Sequence, residues 1–164
     1  MAMKIEIRKA RLSDAETIAN FVNSARPERL LTQLEVAERF GQVGFLLAEE
    51  GKRLVGLIGW RVENLVIGVT DFLIAPGIDR VALGRALVSA MEREGELLQA
   101  EAVILFLPAR PSQALLNYWR ELGYAQRAVT DLPRPWREAT MEWNPSATEV
   151  VIRQIREDLV RRPI

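Results

Sequence analysis

A chain of 164 residues is long enough to bury a core without disulfides or structural metal. Hydrophobic residues make up 49% and charged residues 27%, and 22 basic against 22 acidic side chains leave no net charge, which disfavours nucleic acid or an anionic membrane as the main partner. With no cysteine and no histidine, disulfides, thiol nucleophiles, zinc–thiolate sites and imidazole triads are excluded, and chemistry must come from carboxylates, hydroxyls, amines, water or backbone groups.

Lys4 to Arg8 alternates polar and apolar, with Ile5 and Ile7 on one side, and predicts a half-buried strand. Ser13-Asp14-Ala15-Glu16 is a capping-box pattern, and Ile18, Phe21, Val22 and Ala25 follow at helical spacing. Pro27 and a second capping box, Thr32-Gln33-Leu34-Glu35, predict two short helices or one broken helix between Pro27 and Phe40, with Gly41 as C-cap. A strand over Gly44–Ala48, a polar turn at Glu49–Arg53 and a strand over Leu54–Val62 form a hairpin. A turn at Asn64 then leads to a third meander strand, Leu65–Ile74.

After Pro76-Gly77, Leu83, Ala86, Leu87, Ala90 and Met91 repeat with helical period. Ala102–Leu107 is a continuous apolar run, as in a strand covered on both faces. Pro111-Ser112 opens a helix that Gly123 closes. Last strands are expected at Tyr124–Val129 and Thr140–Trp143, separated by a loop holding Pro133, Arg134, Pro135 and Trp136. Ser146-Ala147-Thr148-Glu149 then caps a C-terminal amphipathic helix over about 147–162, with Val151, Ile152, Ile155 and Leu159 on its apolar face. The expected architecture is one domain over 1–164 (core about 4–144), in which a meander feeds a β-α-β-α unit. That gives a mixed sheet with helices on both faces, neither a Rossmann repeat nor a barrel. No apolar run is long enough to span a bilayer and the amino terminus lacks a signal-peptide core, so the expected compartment is the cytoplasm.

The segment Val69–Met91 is the expected functional centre. A helix that begins directly after a strand and a tight turn offers unpaired N–H groups and the positive end of its dipole to an anion. Small residues at Ala82 and Gly84 would let a phosphate approach the backbone, and Arg80 and Arg85 add positive charge. The same residues also describe an ordinary strand-to-helix connection.

The element order, the segment Ala114-Leu115-Leu116-Asn117-Tyr118-Trp119-Arg120-Glu121-Leu122-Gly123-Tyr124 and the opening Ile7-Arg8-Lys9-Ala10-Arg11-Leu12-Ser13-Asp14-Ala15 together resemble the GNAT superfamily, the GCN5-related N-acetyltransferases, over roughly Ile5 to Trp143. The resemblance implies a mostly antiparallel α/β (α+β) fold and acetyl-CoA as cosubstrate, with no metal. It lays the family's pyrophosphate loop, Gln/Arg-x-x-Gly-x-Gly/Ala, on Asp79-Arg80-Val81-Ala82-Leu83-Gly84. Arg80, Val81, Ala82, Leu83, Gly84 and Arg85 thereby become candidates for holding the pyrophosphate, and Leu73 and Ile74 for pairing with the pantetheine arm. Gly84 keeps the loop pattern outright, whereas Asp79 brings a negative charge that implies weaker CoA affinity. The family's tyrosine acid falls on Trp119, whose indole N–H is no practical acid, and the neighbouring Tyr118 reads as core. Asp71 is the first candidate base and Glu63 the second, the competing reading of Asp71 being a solvated or salt-bridged strand residue. Trp60, Trp136 and Arg134 could line an acceptor pocket or serve as ordinary core and surface residues.

The implied activity is acyl-CoA-dependent N-acyltransfer, an acetyl group passing to a primary amine of a small molecule or protein, without nucleic acid or membrane and with a homodimer left open. A GNAT-like CoA-binding or protein-interaction module without turnover is the alternative, and a dimerisation scaffold is a third reading.

Overall fold

The computed structural model describes residues 4–27 and 30–157. The elements are β1 (Ile5–Lys9), α1 (Ala15–Ala25), α2 (Gln33–Arg39), β2 (Gly44–Glu50), β3 (Arg53–Glu63), β4 (Val66–Ile74), α3 (Arg80–Leu97), β5 (Ala102–Phe106), α4 (Gln113–Glu121), β6 (Ala125–Ala128), α5 (Arg134–Trp143) and β7 (Glu149–Gln154). Short 3-10 turns precede α1 and α5. The strands form a mixed, mostly antiparallel seven-stranded sheet in the order β1-β2-β3-β4-β5-β7-β6, with one parallel pairing, β4 with β5. The expected fold class is therefore the one found. No helix among the described residues is long and apolar enough to cross a membrane.

Chain contacts divide the molecule into two compact units, Met1–Arg61 with Thr70–Met91, and Val62–Val69 with Glu92–Ile164. In the first unit, alternate residues of β3 serve opposite faces. A Cβ on Gly56 would meet Leu83 and Leu87 of α3, whereas one on Gly59 would meet Phe45 and Asp71. On this second face Ile18 and Val22 of α1, Val36 of α2, Leu47 and Leu57 form one buried cluster. Helices therefore cover both faces of this unit's strands. In α3, Leu83, Leu87 and Met91 are buried as the period requires, while Ala86 is exposed.

The second unit is built on β5 and β7, whose Ile104 and Val150 are fully buried between α5 and the sheet's neighbouring strands. Trp136 and Ala139 of α5 pack into the same cluster.

Six expectations need correction. Thr140–Trp143 is the last turn of α5, because Trp136, Ala139, Thr140 and Trp143 fall at i, i+3, i+4 and i+7. Pro135 sits in the first turn of that helix, where its missing N–H costs no hydrogen bond, so the supposed loop at Pro133–Trp136 is a helix start. The expected C-terminal helix is the strand β7: Val150, Val151 and Ile152 are β-branched and buried between β5 and β6, which outweighs the helical spacing of Ile155; Leu159 lies outside the described residues. Between Pro27 and Phe40 the described helix is α2 alone, opened by the Thr32–Glu35 capping box, while Glu28 and Arg29 lie outside the described residues. Gly41 does not adopt the left-handed conformation of a C-cap. Leu65, read as a strand residue, shares the β3–β4 turn with Asn64, both at positive φ (63° and 51°), as a two-residue hairpin turn requires.

The capping pattern at Ser13 is also displaced by one element. The Asp14 carboxylate accepts from the Arg11 backbone N–H at 2.7 Å and from the Arg8 guanidinium at 2.8 Å through both oxygens. These bonds hold the Asp14 carboxyl down to about 2.

Candidate active site

β4 ends at Ile74, and the backbone N–H of Ala75 donates to Val55 of β3 at 2.8 Å, which fixes the chain before it turns. Gly77 makes the turn at φ 81°, a left-handed conformation that a Cβ would strain although nothing crowds it. Asp79 then caps α3. Its Oδ1 accepts from the backbone N–H of Val81 at 3.1 Å and of Ala82 at 3.0 Å, and its carbonyl accepts from Leu83 at 3.0 Å. The donors expected to face a pyrophosphate are thus engaged by a carboxylate from the chain itself.

Beside this turn lies a cavity of about 600 Å³, within the range of ligand pockets. Phe21 of α1, Arg53 of β3, Leu73 and Ile74 of β4, and Pro76 and Arg80 of the turn contribute to its wall. Phe21, Ser24 and Ala25 share one face of α1 through their i, i+3, i+4 spacing, so a single helix face closes one side. The structure brings together Leu73, Ile74 and Arg80 from the expected cofactor residues. Val81, Ala82, Leu83, Gly84 and Arg85 follow in the first turns of α3, where Leu83 and Gly84 are buried and Arg85 is exposed.

Asp71 is a half-buried residue of β4 with the same facing as Leu73. The Arg39 guanidinium grips it with two bonds, Nη1 to Oδ1 at 3.0 Å and Nη2 to Oδ2 at 2.5 Å, and the Thr70 hydroxyl donates to Oδ2 at 2.8 Å. Arg39 also lies over the Phe45 ring, 5.8 Å from its centroid. The carboxylate is thus held in place with both oxygens engaged. Sequence reasoning missed Arg39, since nothing local announces a pairing 32 residues away. Glu63 stands at the end of β3, beside the Asn64 turn that precedes β4; the Pro76-Gly77 turn follows the other end of that strand.

In the second unit Trp119 is buried, edge-on to Tyr118 at 5.7 Å and to Tyr124 at 5.3 Å between centroids. Tyr118, expected in the core, is only half-buried, and Trp119 takes the core position. The Tyr124 hydroxyl donates to the buried Glu92 at 2.9 Å, and Arg153 approaches the same carboxylate at 3.2 Å. Burial pushes both the Glu92 carboxyl and the Tyr124 phenol up, against the pull of Arg153 on each. Trp136 is a core residue whose indole N–H donates to Glu101 at 3.1 Å, Trp60 is buried against Gly44, and Arg134 pairs with Glu138 on the exposed face of α5. Arg153, within the stretch expected to be helical, lies on β7.

The sequence profile of the acetyltransferase (GNAT) family matches residues 10–124, and the chain belongs to that family. No curated protein matches the chain. Among solved structures, an acetyltransferase of the GNAT family from Staphylococcus aureus is similar at TM-score 0.71 and 15% identity, covering 93% of this chain and 100% of that one. The PaiA N-acetyltransferase from Thermoplasma acidophilum, in complex with coenzyme A, is similar at TM-score 0.66 and 14% identity, covering 93% and 99%. N-acetylglutamate synthase from Neisseria gonorrhoeae, complexed with coenzyme A and N-acetyl-glutamate, matches at TM-score 0.70 and 13% identity; the match covers 96% of this chain but only 36% of the synthase.

Proposed function

We propose that the chain is an N-acetyltransferase that moves an acetyl group from acetyl-CoA to a primary amine of a small molecule or protein. The observation that carries this is family membership over residues 10–124, joined to a cavity at the β4–α3 turn whose wall includes Leu73, Ile74 and Arg80, three of the positions the resemblance assigns to the cosubstrate. The donor set fits that group: backbone groups at the end of β4 for an amide-bearing arm, a cavity of about 600 Å³, and guanidiniums for phosphates. Acetyl-CoA, when bound, supplies a thioester carbonyl already activated for acyl transfer. Ile74 would orient that carbonyl through its backbone amide. An acceptor that arrives as an ammonium must lose a proton before its nitrogen can attack, and in this reading Asp71 would take it, directly or through water. The C–N bond then forms as the C–S bond breaks, and the departing sulfur takes up a proton.

A second reading has specific support. Asp79 occupies the loop amides, Asp71 is clamped by Arg39, and the position of the family's acid is a buried Trp119, an arrangement suited to binding CoA without turnover. Calorimetry with acetyl-CoA and CoA tests the shared premise, and an absence of binding at millimolar ligand removes it. CoA release across an amine panel, wild type against Asp71→Asn, separates the two. Turnover that Asp71→Asn abolishes supports the enzyme, and tight binding with no release on any acceptor supports the binding module.

A further inference from the structure

Two observations at the β4–α3 turn point in one direction. The Val81 and Ala82 amides, the donors a helix N-terminus offers an anion, hold the Asp79 carboxylate, which adds a negative charge there. The adjoining cavity carries two guanidiniums, Arg53 and Arg80, and no carboxylate among its described lining residues. Arg53 comes from a distant part of the chain. It opens β3, and the Ala75–Val55 hydrogen bond anchors that end of the strand against the turn. Glu50 is its cross-strand neighbour.

We propose that Arg53, together with Arg80, holds the phosphate groups of the CoA cosubstrate and so replaces the loop amides as the anion-recognition element. The proposal rests on the acetyltransferase reading and adds to it a residue outside the pyrophosphate loop. A guanidinium presents a planar fork of N–H donors that matches two phosphate oxygens at once, which an ammonium cannot do. Because the contact is between charges at an exposed rim, it weakens with ionic strength more steeply than amide donation would.

Calorimetry on the full chain with CoA, dephospho-CoA and pantetheine tests it, using wild type, Arg53→Ala and Arg53→Lys. Arg53→Ala is expected to weaken CoA at least about tenfold, with Arg53→Lys in between, to flatten the salt dependence, and to leave pantetheine affinity unchanged. The same loss with dephospho-CoA assigns the contact to the pyrophosphate, and a loss confined to CoA assigns it to the 3′-phosphate; either supports the proposal. Arg53 is exposed, so an unchanged Tm is expected to accompany these effects. Wild-type binding of CoA with Arg53→Ala within twofold of it overturns the proposal and leaves the acetyltransferase reading standing. Failure of the wild type itself to bind CoA overturns both.

Discussion

Replacing Asp79 with Asn keeps the capping geometry and removes its charge. The side-chain oxygen that now accepts from Val81 and Ala82 at 3.1 and 3.0 Å remains an acceptor, and Asn caps helices about as well as Asp. What changes is electrostatic. A phosphate approaching the same amides would come within ~6 Å of the carboxylate, where two unit charges repel by ~0.7 kcal/mol at the dielectric of water and ~3 kcal/mol at an effective value of 20. Asp79 is exposed, so the lower part of that range applies, and CoA is expected to bind about three- to tenfold more tightly to Asp79→Asn. The favourable interaction of the carboxylate with the α3 dipole is lost at the same time, roughly 0.3–1 kcal/mol of stability, or a fall in Tm of about 1–4 °C. Isothermal titration at low salt beside a thermal melt measures both. A folded Asp79→Asn protein that binds CoA no more tightly than wild type would refute the reasoning, because the carboxylate would then not face the phosphates.

Two further outcomes concern stability. The folded-state value of Asp14 lies near 2 against an ordinary 3.8, so its contribution is present above pH 3.8 and is lost as the pH falls through 2. Its Arg8 partner is 35% exposed, so the shift is discounted for screening: Asp14→Asn is expected to cost about 1 kcal/mol at pH 7 and progressively less as the pH falls through and below 2, and urea unfolding that gave an equal difference at neutral and strongly acid pH would contradict this. Gly68→Ala would place a Cβ 2.6 Å from the Trp143 ring and should destabilise by about 1–3 kcal/mol, partly restored by Trp143→Leu; a melt within a degree of wild type would show that the ring moves aside freely.

The meander, the β4–α3 turn and the capping of α2 were legible in the sequence because each is set locally, by alternation, by Pro76-Gly77 and by Thr32 with Glu35. The chain after Val129 was not. Its helix opens on a proline and its strand is short and flanked by arginine and glutamate, so neither period runs long enough to decide, and the partners that bury Val150 and Trp136 come from elsewhere. The same divide runs through the site. The start of α3 at Arg80 followed from the Pro76-Gly77 turn and the helical period after it, and Asp71 could be named as a carboxylate on β4. The clamp by Arg39 and the arrival of Arg53 at the cavity depend on tertiary register, which side-chain periodicity does not encode.

The Tyr124–Glu92–Arg153 group joins a helix, a post-glycine turn and a strand through one buried carboxylate. Removing the phenol or the guanidinium alone leaves Glu92 short of a partner in a place water does not readily reach, and removing Glu92 strands the buried hydroxyl. In evolutionary terms the three positions form a single character. Among relatives they are expected to change together, to an apolar set of similar volume, or to stay as they are, even where the surrounding sequence has drifted to the 13–16% identity of similar solved structures.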